Sequence, residues 1–66
     1  MRTVVNSSRI SSVGWLDNTL EVEFKNGSIY QYYNVEYNEY QNFINSPSLG
    51  RSLSQIDKLH PYRRIL

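Results

Sequence analysis

Glu21 and Glu23 stand two residues apart, which places both carboxylates on one face of a strand. A carboxylate pair does acid–base work only where its surroundings push the two pKa values apart. On the wet face of a hairpin both stay solvated, and the pair reads as a device against edge-to-edge aggregation. His60 is the one histidine and has the chemistry to titrate near neutrality. Its place at a helix end, before Pro61, suits a cap on the last carbonyls. There is no cysteine, no Ser-x-x-Lys, no phosphate loop and no metal-ligand spacing. No catalytic residue, metal site or cofactor is expected, and the chain does not read as an enzyme.

Two stretches suit anions better. In "SPSLGR", Ser46, Ser48 and the amides around Leu49 and Gly50 open a helix, where free N–H groups and the dipole favour negative charge. Arg51 adds a fork of donors. The plainer reading is ordinary capping, with Gly50 allowing close packing on the sheet. In "HPYRRIL", Tyr62 offers a stacking ring beside Arg63 and Arg64, with Lys58 about one helical turn before Pro61. The plainer reading is a tail that docks Tyr62, Ile65 and Leu66 on the sheet. Tyr33 is expected on a solvent face with a free ring. The candidate ligand-binding residues are therefore Tyr33, Ser48, Gly50, Arg51, Lys58, Tyr62, Arg63 and Arg64.

The elements that position these residues follow from periodicity. Leu20, Val22 and Phe24 alternate with Glu21, Glu23 and Lys25, a strand with one wet face. Asp17-Asn18 forms a two-residue turn, setting Trp15 opposite Leu20 and Val13 opposite Val22 on a first strand near residues 10–16. The next turn has two solutions. A two-residue Asn26-Gly27 turn buries Gln31, whereas a three-residue Lys25-Asn26-Gly27 loop sets Tyr30 against Val22 and Tyr32 against Leu20. An unmet buried amide costs about 1–3 kcal/mol, which favours the longer loop. Tyr30, Tyr32, Tyr37 and Tyr40 are then core or core-edge residues, although the choice rests on that turn.

Beyond Asn34 the period becomes helical. Tyr37, Tyr40, Phe43 and Ile44 form a stripe that ends near Asn45, because Ser46 precedes Pro47. Ser48 caps a second helix carrying Leu49, Leu53, Ile56 and Leu59, and Pro61 stops it. The expected architecture is α+β: a three-stranded antiparallel meander packed against two short C-terminal helices, one domain over residues 1–66.

Sixty-six residues fold with little stability to spare, and no disulfide is available to help. The first ten residues carry no apolar run of leader length, so a cytoplasmic, membrane-free location is expected. Net charge is +1, unevenly spread. Asp17, Glu21, Glu23, Glu36 and Glu39 against Lys25 leave residues 17–39 at −4. Arg51, Lys58, Arg63 and Arg64 against Asp57 leave residues 49–66 at +3. A polyanion would meet the C-terminal segment.

The order of "VNSSRISSVGW", "LEVEFKNGSIYQYYNV", "SPSLG" and "IDKLHPYRRI" resembles the KTSC domain across Val5 to Ile65. This module occurs at the C-terminus of some lysyl-tRNA synthetases and as a stand-alone bacterial protein. Glu36 stands where the family favours proline, and His60 where it favours an aromatic residue. The synthetase association implies RNA as a partner. The leading expectation is a non-catalytic module for RNA or a phosphate-bearing nucleotide, including a stand-alone bacterial or phage protein that sequesters a nucleotide signal. The alternative is a protein-interaction or homo-oligomerisation module, using an unpaired sheet edge and a face with Ile29, Gln31 and Tyr33.

Overall fold

Two turns set the register of the sheet. The computed structural model describes residues 2–66. Asp17 and Asn18 both adopt positive φ (50° and 60°), the primed geometry that matches strand twist. They join β2 (Ile10–Leu16) to β3 (Thr19–Phe24), with Trp15 opposite Leu20 and Val13 opposite Val22. Gly27 at φ +92° closes a three-residue loop, in which the Gly27 amide bonds the Phe24 carbonyl. The Phe24 amide in turn bonds the Ser28 carbonyl. β4 (Ile29–Tyr33) therefore sets Tyr30 against Val22 and Tyr32 against Leu20. The longer loop is the one formed.

The sheet has five strands rather than three, in the order β1-β2-β3-β4-β5, all antiparallel. β1 (Arg2–Val4) pairs with β2, and β5 (Tyr62–Arg64) pairs with β4. Each added strand has three residues, too few to show alternation, so periodicity alone misses them. The docked tail becomes a strand, with Tyr62 opposite Tyr32 and the Ile65 amide on the Ile29 carbonyl.

α1 (Tyr37–Ile44) and α2 (Leu49–Leu59) cover one face of the sheet. The core joins Val13, Leu20, Val22 and Tyr32 of the strands to Tyr40, Phe43, Leu53 and Ile56 of the helices. Each fully buried side chain of this size contributes about 1.5–3 kcal/mol. A register shift between Ile10 and Ser12 gives β2 one extra residue. Ile10 and Val13 are three apart and would otherwise face opposite ways; the bulge turns both inward, and both are fully buried.

Trp15 ties the strands to the helical layer. Its indole N–H donates to the Val35 carbonyl (2.7 Å), and its ring meets Tyr37 edge-on at 5.2 Å. Of the four tyrosines expected in or near the core, Tyr32 and Tyr40 are buried and Tyr30 is half-buried. Tyr37 stays 53% exposed, anchored mainly through Trp15 and Tyr40. Leu59 is also an exception to its stripe, at 73% exposed.

Candidate functional site

The β1–β2 loop and the start of α2 meet across an open cleft of about 490 Å³. One wall is the "NSSR" run: the Ser7 hydroxyl accepts the Arg9 and Ile10 amides (3.3 and 3.4 Å), while Ser8 and Arg9 are exposed. The other wall carries Ser48, Gly50, Arg51 and Ser54. Arg9 and Arg51 are both exposed, and no acidic side chain lines the cleft.

The helix start is less tightly capped than its sequence suggests. Ser48 is the N-cap residue but makes no side-chain cap bond. The Ser46 hydroxyl takes the turn instead, accepting from the Ser48 amide (3.2 Å) and from the Ser52 hydroxyl (2.6 Å). The first turn of α2 holds no acidic residue, so its dipole end is not offset from within. Gly50 does not serve close packing either: a Cβ there would meet no atom within 4 Å. The lining brings Arg9, Arg51, several serines and a helix N-terminus to one volume, a chemistry suited to anionic oxygen.

The C-terminal candidates do not gather in one place. Strand pairing puts Tyr62 opposite Tyr32, Arg63 opposite Gln31 and Arg64 opposite Tyr30. Alternation therefore sends Arg63 to the uncovered face, and Tyr62 and Arg64 to the helix-covered face. The expected pair of guanidinium groups beside one ring is split. Arg64 Nε donates to the Leu66 carbonyl (2.9 Å), and Lys58 is exposed on the last turn of α2, outside the cleft. Tyr62 packs on Tyr30 and Tyr32 at centroid distances of 5.9 and 5.4 Å and remains 53% exposed. Burial pushes the Tyr32 phenol above its ordinary range, and the hydrogen bond and charge of Asp57 push it further.

Tyr33 lies on the uncovered face as expected, but its ring is not free. Its hydroxyl donates to Gln31 Oε1 (3.1 Å), and Gln31 Nε2 donates to Glu21 Oε1 (3.1 Å). Ser12 donates likewise to Glu23 Oε1 (3.0 Å), so both glutamates belong to cross-strand ladders. Ile29 on this face is buried, and β5 occupies the edge of β4, which removes much of the surface expected for a covering chain. His60 straps the layers together: Nδ1 donates to the Tyr33 carbonyl (3.1 Å), and Nε2 contacts the Glu39 carboxylate. His60 is also the C-cap of α2, its backbone N–H donating to the Ile56 carbonyl (3.0 Å), while its ring bonds across the fold. Among the described residues no group of three or more metal-ligating side chains converges, and no helix is long and apolar enough to cross a membrane.

Sequence reasoning named none of Ser7, Ser8 and Arg9 as a candidate ligand-binding residue. The signal there was two serines and an arginine, which "SPSLGR" also contains.

Comparison with known proteins is consistent with this architecture. A KTSC domain protein of Yersinia pestis, known from its crystal structure, is 38% identical. It superposes with a TM-score of 0.88, covering 100% of this chain and 97% of its own. An uncharacterised protein of Stutzerimonas stutzeri strain A1501 is 36% identical over 64 residues, which is 94% of this chain and 90% of that protein. These likenesses concern the domain and do not extend to a synthetase. The KTSC domain profile matches residues 6–59, and the chain belongs to the KTSC domain family.

Proposed function

We propose that this domain is a non-catalytic binding module for RNA or a phosphate-bearing nucleotide, held at the cleft between the β1–β2 loop and α2. The observation that carries this reading is the convergence of Arg9 and Arg51 on one open volume with no carboxylate in its lining. Phosphate oxygens would accept from both guanidinium groups, from the Ser8 and Ser48 hydroxyls and from the first amides of α2. The described lining places no histidine or carboxylate beside its serine hydroxyls to act as a base, which supports a binding role over turnover.

Fluorescence titration of a labelled oligouridylate hexamer tests the reading. Two cationic contacts to a single strand give a log–log salt slope of about −1.4. Arg9→Ala with Arg51→Ala should remove both the binding and the slope. Unchanged affinity in that double variant would refute the site.

A further inference from the structure

The cleft does not end at Arg9. A second hollow of about 390 Å³ shares Ser8 and Arg9 with it and extends to Phe24, Lys25 and Asn26. A third, of about 320 Å³, shares Phe24 and Asn26 and runs on to Tyr30, Tyr32, Tyr62 and Asp57. The Lys25 amide donates to the Arg9 carbonyl (2.9 Å), which fixes the junction. The three hollows lie in series along the surface, each sharing two residues with the next.

Chemistry is sorted along this series. Arg51, Arg9 and Lys25 line the first two hollows, whose linings contain no acid. The third holds no cation; it is walled by aromatic rings and carries Asp57. Phe24 meets Tyr30 edge-on at 5.5 Å, and Tyr30 and Tyr32 lie 6.5 Å apart at 23°. Tyr62 covers them with one face and leaves about half its surface to solvent. Phosphates suit a cationic, acid-free end. A planar base suits an exposed ring, and a nearby carboxylate can accept from its amino or imino N–H groups. An acidic peptide would gain from the cations but be repelled at Asp57.

We infer that the series is a track for a short single-stranded nucleic acid. Arg51, Arg9 and Lys25 hold successive phosphates, and a base stacks on Tyr62 with its edge toward Asp57. This rests on the phosphate reading above and extends it, naming an extended strand as the ligand. The segment is short, roughly four nucleotides, at the low end for single-strand sites. A duplex cannot offer an unstacked base to Tyr62 and should bind less well.

The test measures the full chain by anisotropy against oligouridylate and oligothymidylate hexamers, uridine monophosphate as competitor, and an RNA duplex. The hexamers should bind at least about tenfold more tightly than the monophosphate, because one strand engages both ends of the track. Tyr62→Ala should weaken hexamer binding by roughly 5- to 150-fold, the range of one lost base stack, while Tyr62→Phe retains it. With Lys25 engaged beside Arg9 and Arg51 the track gives a slope of about −2.1, against about −1.4 for the two-arginine site alone, and Lys25→Ala should return it to about −1.4. Circular dichroism confirms that each variant is folded. Tighter binding of the uridine strand assigns the track to RNA, and the reverse to DNA.

Hexamer binding that needs Arg9 and Arg51 but is indifferent to Tyr62→Ala would overturn the track and leave the phosphate site standing. A duplex, or a hexaglutamate competitor, binding as well as the hexamers would overturn the single-strand assignment. No binding of any nucleotide probe would overturn the track together with the reading beneath it.

Discussion

Replacing Trp15 by phenylalanine removes one N–H donor while keeping an aromatic ring. The indole bond to the Val35 carbonyl is short at 2.7 Å and spans twenty positions, from β2 to the entry of α1. Val35 is fully buried, so its carbonyl gains no easy replacement partner. An acceptor left unmet in that setting costs about 1–3 kcal/mol. Phenylalanine still reaches Tyr37 and Tyr40, whose rings lie 5.2 and 6.3 Å from the indole, so the packing loss is small. A chain of this length has on the order of 3–10 kcal/mol in total. Each kcal/mol moves Tm by about 4–8 °C, so Trp15→Phe should lower Tm by roughly 5–20 °C. Trp15→Ala also loses the ring contacts and should cost about 3–5 kcal/mol, enough to leave the domain largely unfolded when warm. Far-ultraviolet circular dichroism reads both, since Trp15 is the sole tryptophan and its fluorescence goes with it. A phenylalanine variant melting with the parent would refute the claim that this bond holds the sheet to the helical layer.

Gly27→Ala should cost about 1–2 kcal/mol through its positive φ alone, since no atom crowds the new methyl; a denaturant midpoint equal to the parent's would refute this. Tyr32 should be the last of six tyrosines to ionise in an alkaline absorbance titration, its phenol being raised by burial and then by Asp57. Its contribution to stability is complete below pH about 10, where the unfolded phenol keeps its proton, and declines as pH rises toward the folded value. Six tyrosines ionising together on an intact fold would contradict that. His60→Ala removes the strap between β4 and α1 and should lower stability by about 1–3 kcal/mol, read from the urea midpoint.

The central hairpins were legible in the sequence because turn chemistry and alternation agree there. Asp17-Asn18 tolerates positive φ at both positions, and burying Gln31 would cost more than lengthening the next loop. Both helices were legible from their stripes and from Pro47 and Pro61. Three features escaped for physical reasons. The bulge before Ser12 breaks the period of two locally, so alternation from Val13 does not lead to Ile10, which is core. The edge strands are too short to carry a pattern, and β5 splits Arg63 from Arg64 by alternation once it pairs. Half of the candidate cleft, Ser48, Gly50 and Arg51, was visible as a helix start. The other half depends on where a loop some forty residues earlier comes to rest, and that is a property of the folded sheet.

Two-dimensional amide resonance spectra, recorded while oligouridylate is added at low and high salt, test the binding assignment most directly. Salt-sensitive shifts are expected at Ser7 through Arg9 and at Ser48 through Arg51. Shifts confined to Gln31 and Tyr33 on the uncovered face, or no shift at all, would contradict that assignment.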